Sequence, residues 1–130
     1  MELKLKIVSF LSRNIEKTFT INEIAKSMHE YYSFVHRIIG KLIREGVVLK
    51  TKAGKSHLCS LDTKNEKTIA LIQLGEIENR DEFYSKNREL KLILEDLVES
   101  INSENVLTIV LFGSYAKGNQ TKESDVDILI

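Results

Sequence analysis

The chain has 130 residues, 42% of them hydrophobic and 29% charged, which is the make-up of an ordinary globular protein and excludes a disordered tail or a fibre. No run approaches the roughly 18 apolar residues of a membrane span, and the N-terminus alternates Lys with Leu instead of presenting a signal-peptide core, so the expected address is the cytoplasm. One cysteine, Cys59, excludes an intramolecular disulfide and a zinc cluster of the usual spacing. The formal charge is zero, but it is unevenly placed. Residues 1–61 hold eleven Lys plus Arg against five acids, a net of +6, and residues 62–130 carry −6. A basic half suits a polyanion and an acidic half suits a metal, so two modules meeting near residue 62 are expected.

Leu3, Ile7, Phe10 and Leu11 recur at helical spacing and predict a first helix ending near Asn14. Thr20 with Glu23 three residues on reads as a capping box opening a second helix, whose Ile21, Ile24, Ala25 and Met28 share a face. Beyond a turn at Glu30–Tyr32, Ser33 is the expected cap of a third helix with the apolar stripe Val35, Ile38, Ile39, Leu42 and Ile43, stopped by Gly46. The period then changes to two. Strands are expected at Val47–Thr51 and Ser56–Leu61, around a Gly54 turn flanked by Lys52 and Lys55. Helical spacing returns from Thr63 with Ile69, Leu71, Ile72, Leu74 and Ile77. A longer helix follows, with Leu90, Leu94, Leu97, Val98 and Ile101 on one face and its exit at Asn102 and Asn105. Val106–Phe112 and Val126–Ile130 read as two buried strands. The fold class is α+β: a winged helix of three helices and a hairpin at 1–61, a helical connector at 62–103, and a partial mixed-sheet core at 104–130.

The segment from Thr20-Ile-Asn-Glu-Ile-Ala-Lys to Val35-His-Arg-Ile-Ile-Gly-Lys-Leu-Ile-Arg-Glu-Gly-Val-Val resembles the winged helix-turn-helix of many prokaryotic regulators. The resemblance implies DNA binding through residues 20–55 and a role in transcription regulation. A helix fits the major groove, and outward polar side chains meet base edges and phosphates. Ser33, His36, Arg37, Lys41 and Arg44 hold the outward positions. Arg37 is the candidate base contact; Lys41, Arg44, Lys52 and Lys55 are candidate phosphate contacts, and Tyr31 and Tyr32 could donate to phosphate as well. A solvated helix face or a protein-docking module is the competing use of the same residues.

The sharpest signal is Leu111-Phe-Gly-Ser-Tyr-Ala-Lys-Gly118 followed by Ser124-Asp-Val-Asp-Ile128, with ten residues between Ser114 and Asp125. Gly113 at a strand end lets backbone approach a ligand, and Ser114 opens a short helix whose free N–H groups favour a phosphate. Asp125 and Asp127, two apart on a strand, would project from one face and share a hard cation such as Mg²⁺. A phosphate cradle beside a carboxylate pair is what metal-assisted nucleotidyl transfer requires.

This pattern resembles the polymerase-beta-like nucleotidyltransferase superfamily, in particular its minimal prokaryotic members. The resemblance implies nucleotide binding by Gly113 and Ser114, assisted by Lys117, and a two-Mg²⁺ site on Asp125 and Asp127 as the catalytic pair. It also implies a third carboxylate on a later strand, which these 130 residues do not contain. The core is therefore expected to be truncated, with little turnover by this chain alone, and its open edge to be completed by further residues, a homodimer or a partner chain. The alternative reading is a DNA-binding transcriptional regulator whose nucleotidyltransferase-like part is a non-catalytic sensor or dimerisation element. A helical interaction module built on the Leu90–Ile101 stripe is a third.

Overall fold

The computed structural model describes residues 1–101 and 104–130. In chain order these form α1 (Leu3–Arg13), α2 (Ile21–Met28), α3 (Tyr32–Arg44), β1 (Val48–Ala53), β2 (Ser56–Leu61), α4 (Glu66–Lys86), α5 (Arg88–Ile101), β3 (Val110–Phe112), α6 (Gly113–Lys117) and β4 (Asp127–Leu129). They sort into two compact units, Met1–Phe83 and Tyr84–Ile130. The division falls inside the segment 62–103, so α5 groups with the strands that follow it and nearly all of α4 with the helices that precede it.

In the first unit the helices and the hairpin share one core, and in α1 its buried residues include Leu5 and Val8, while the expected Leu3 and Phe10 are only partly buried against it. Leu5, Ile7, Val8 and Leu11 from α1 meet Ile24 and Ala25 from α2, Val35, Ile39 and Leu42 from α3, and Val47, Val48, Cys59 and Leu61 from the hairpin. Each fully buried Leu, Ile or Val contributes about 1.5–3 kcal/mol of transfer free energy, which gives the helices a common face to protect. Burial also pushes the Cys59 thiol above its ordinary range, against a weaker pull from Lys50.

Local chemistry sets the ends of these elements. The Thr20 hydroxyl accepts the Glu23 N–H at 3.1 Å, as its capping role requires. His29 terminates α2 in the left-handed region at φ 54°. At the end of α3, Gly46 N–H donates to Ile43 at 3.1 Å and Val47 N–H to Leu42 at 2.9 Å, the paired bonds of a Schellman stop, with Gly46 at φ 77°. The buried side chains of Val47 and Leu42 accompany it.

The start of α3 differs from expectation. Ser33 is not its cap but lies in the first turn. The N-cap is Tyr31, whose carbonyl already takes the N–H groups of Phe34 and Val35 at 3.1 and 3.3 Å. The hairpin is also longer than expected. With Gly54 at φ 62°, the chain reverses in two residues, so Lys52 and Ala53 stay in β1, paired with His57 and Ser56. Phe19 adds a short third antiparallel pairing to Cys59, with bonds of 3.1 and 2.7 Å.

The longer of the two following helices is α4, not α5. Its start is held by Asn65, which the sequence did not single out. The Asn65 side chain accepts the Lys67 N–H at 2.8 Å and donates to the Gly46 carbonyl at 2.9 Å, tying the end of α3 to the start of α4. Beside this tie, Lys67 lies 3.1 Å from Glu45 and holds that carboxyl below its ordinary range, against an opposing push from burial. Further along α4, Gly75 sits so close to α1 that a Cβ there would lie 2.6 Å from the Ser9 hydroxyl.

The second unit is thinly packed. Leu90 and Leu94 of α5 are its buried apolar residues among those described, with Leu97, Val98 and Ile101 half-buried. Residues 106–109 carry no strand pairing among the described residues, and each strand is three residues long instead of the seven and five expected. The strands pair antiparallel, Val110 with Leu129, Leu111 with Ile128 and Phe112 with Asp127. A mixed sheet was expected, but that needs a third strand, and two strands joined by a chain reversal run antiparallel. Asn102, expected at the helix exit, lies outside the described residues; Asn105 falls in a turn after α5.

Candidate nucleotide site and nucleic-acid face

The candidate nucleotide site is built at the point where β3 becomes α6. Phe112 ends the strand and is paired with Asp127; Gly113 then turns the chain with φ 76° and opens α6. The register sets the Asp127 side chain against the Gly113 backbone. A Cβ at Gly113 would collide with the Asp127 carboxylate and lie 3.0 Å from its Cγ, so hydrogen alone fits there. Thus the glycine of the expected phosphate cradle and an aspartate of the expected metal pair are brought together, although 14 positions separate them in the chain.

Ser114 follows in α6 and is half-buried, and Lys117 ends the helix exposed. The first N–H groups of a helix lack intrahelical acceptors and so point toward where an anion would sit. At the other end, Gly118 in the left-handed region and the Asn119 N–H bonded to the Ser114 carbonyl at 3.1 Å close α6 after five residues.

Asp125 departs from the expected geometry. It is exposed and precedes β4, which begins at Asp127. Pairing of the two strands stops where Phe112 meets Asp127. What precedes Asp125 is a turn that the sequence did not mark as functional: the Ser124 hydroxyl accepts the Thr121 N–H at 2.8 Å and Ser124 N–H donates to the Thr121 carbonyl at 3.1 Å. The only signal available for it was a Thr–Ser spacing typical of local side-chain turns. As oxygen donors, Asp125 and Asp127 suit a hard divalent cation. They are two carboxylates, and no cluster of three or more metal-binding side chains occurs among the described residues.

The expected nucleic-acid face lies in the first unit. Ser33, His36, Arg37, Lys41 and Arg44 are all exposed along α3, opposite the buried Val35, Ile39 and Leu42, and Lys52 and Lys55 are exposed on the hairpin. The structure adds aromatic residues to this basic face. Tyr31, Tyr32 and Phe34 are 75%, 52% and 45% exposed at the start of α3. Tyr31 meets Phe34 edge-on at 5.8 Å, Tyr32 lies 5.7 Å from His36, and the Arg37 guanidinium sits over the Phe34 ring at 5.8 Å. Phe34 carried no functional expectation from sequence, since an isolated Phe in a helical pattern reads as core.

The nucleotidyltransferase domain family model matches residues 87–130. Two curated relatives from Methanocaldococcus jannaschii carry the names "Putative protein adenylyltransferase MJ1379" and "Putative protein adenylyltransferase MJ0604". The first is 49% identical over 43 residues, 33% of this chain and 37% of its own length. The second is 45% identical over 40 residues, 28% of this chain and 40% of its own. The chain therefore spans well under half the length of these relatives.

Among solved structures, MepR, a transcription regulator of the Staphylococcus aureus multidrug efflux pump MepA, superposes with a TM-score of 0.53 at 16% identity, over 78% of this chain and 80% of that one. The adhesin competence repressor AdcR from Streptococcus pyogenes does so with 0.56 at 16% identity, over 83% of each. A MepR variant bound to an oligodeoxyribonucleotide gives 0.52 at 16% identity, over 78% and 80%. At such identities the likeness is one of fold. No helix among the described residues is long and apolar enough to cross a membrane. The chain thus joins a winged-helix fold of the kind found in these regulators to a segment, residues 87–130, that matches the nucleotidyltransferase domain family.

Proposed function

We propose that the protein is a Mg²⁺-dependent nucleotidyltransferase carrying a DNA-binding winged helix and acting in the cytoplasm. The observation that carries this is the seating of the Asp127 carboxylate against Gly113 at the strand–helix junction, within the segment that matches the family model. Gly113 and Ser114 bind the triphosphate through backbone N–H groups, Lys117 adds charge, and Asp125 with Asp127 holds the divalent cation. When bound, Mg²⁺ supplies charge neutralisation on the phosphates. The reaction joins an acceptor hydroxyl oxygen to the α-phosphorus of a nucleoside triphosphate, breaks the bond to the β-phosphate oxygen, and releases pyrophosphate and the hydroxyl proton. The names of the two relatives favour AMP as the transferred group and a protein hydroxyl as acceptor.

A second reading is favoured by the exposed basic face of α3. In it the protein is a DNA-binding transcription regulator, and residues 87–130 act as a nucleotide sensor or a dimerisation element without turnover.

Isothermal titration with ATP and GTP, with and without Mg²⁺, tests the nucleotide site. Mg²⁺-dependent binding that disappears in the double variant Asp125→Asn, Asp127→Asn is the expected result. Binding that survives this substitution, or none with the protein folded, overturns the assignment of the site. Where binding holds, release of pyrophosphate separates the enzyme from the sensor.

A further inference from the structure

We propose that Phe34 and Arg37 form one reading unit for a thymine beside a guanine in duplex DNA; this rests on the DNA-binding reading of α3 above. The two side chains stand three positions apart, on one side of the helix and about 4.5 Å apart along its axis. That offset is near the roughly 3.4 Å rise between base pairs, so each faces its own neighbouring pair. Both lie in the first two turns of α3, the part of a recognition helix that meets base edges.

Their chemistry fits two adjacent major-groove patterns. Guanine presents two acceptors, O6 and N7, to a guanidinium fork, and thymine alone among the four bases presents a methyl group, which an apolar ring contacts. The Arg37 guanidinium over the Phe34 ring at 5.8 Å is already oriented, so less side-chain freedom is lost when the fork binds. Tyr31 also meets the ring, edge-on at 5.8 Å.

Core packing does not account for Phe34. Val35, Ile39 and Leu42 are the residues that α3 buries, and Phe34 remains 45% exposed on the side that also carries Ser33, His36, Arg37, Lys41 and Arg44, beside the exposed Tyr31 and Tyr32. The lysines of this face and of the hairpin suit phosphate, which carries no sequence information, whereas the Phe34–Arg37 pair offers an apolar ring and a guanidinium fork that fit base edges.

The test selects duplexes from a random pool with the full chain, then measures binding by fluorescence anisotropy at one salt concentration. Selected sites containing thymine next to guanine are expected. Replacing that thymine by deoxyuridine removes only the methyl group and should weaken binding about fourfold. Replacing the guanine by 7-deazaguanine should weaken it about tenfold. Phe34→Ala should bind the thymine and deoxyuridine duplexes equally while keeping the salt dependence of the parent, and Arg37→Ala should lose the guanine preference. Sites without this step, or equal binding of thymine and deoxyuridine duplexes by the unsubstituted protein, overturn the proposal and leave DNA binding standing. Absence of duplex binding at every salt concentration overturns both.

Discussion

The two compact units reach order by different routes. In Met1–Phe83, four helices and a hairpin bury a shared set of Leu, Ile and Val side chains, and the chemistry-bearing residues stand on the outside of that core. In Tyr84–Ile130, Leu90 and Leu94 are the buried apolar residues described, while Leu92, Ile93, Phe112, Leu129 and Ile130 are exposed. There the shape of the site comes from local devices: two glycines in the left-handed region, a five-residue helix and a side-chain-closed turn. Local devices of this kind can shape a segment even where little core supports it.

The largest effect should come from the core of the first unit. Ile39→Ala removes a fully buried side chain and should cost about 2–5 kcal/mol in urea unfolding, whereas Leu94→Ala in the second unit should fall at or below the low end of that range. Equal losses would break the contrast between the units. Next, Gly113→Ala forces a methyl group into the space of the Asp127 carboxylate, at a residue with φ 76°. Mg²⁺-dependent nucleotide binding should weaken at least about tenfold, a shift of about 1.4 kcal/mol, with unfolding of the first unit unchanged. Unchanged binding would remove that contact from the site.

The smallest effect belongs to the Glu45–Lys67 pair. Because Lys67 holds the Glu45 carboxyl below its ordinary range, the pair's contribution is present above that range and is lost as pH falls through the lowered value. Lys67→Gln should therefore lower the thermal midpoint slightly at neutral pH, with the two proteins converging in acid. A gap that persists at acid pH would mean that Lys67 acts through something other than this pair.

Much of the first unit was legible because its signals are periodic or adjacent. The stripe Val35, Ile39, Leu42 and the cap Thr20 each need only a few neighbouring residues to be read. The cap at Ser33 was misplaced because Tyr31 and Ser33 both precede the stripe closely, and only the backbone bonds of the Tyr31 carbonyl decide between them. The strands around the nucleotide motif were overestimated for a related reason: apolar runs report burial or β-propensity, but strand length is set by how far a partner runs alongside.

By itself the sequence determined the α+β class, the opposite charge of its halves, the stripe of α3 and its stop at Gly46, and the spacing of Gly113, Ser114, Asp125 and Asp127. These are properties of residues near one another in the chain. Only the tertiary structure decided that Asp127 packs on Gly113 while Asp125 lies outside the strand, that Asn65 ties α3 to α4, and that Phe34 faces solvent beneath Arg37. Strand register, helix-end docking and rotation of a helix about its axis set those contacts. Each depends on what the rest of the fold leaves room for.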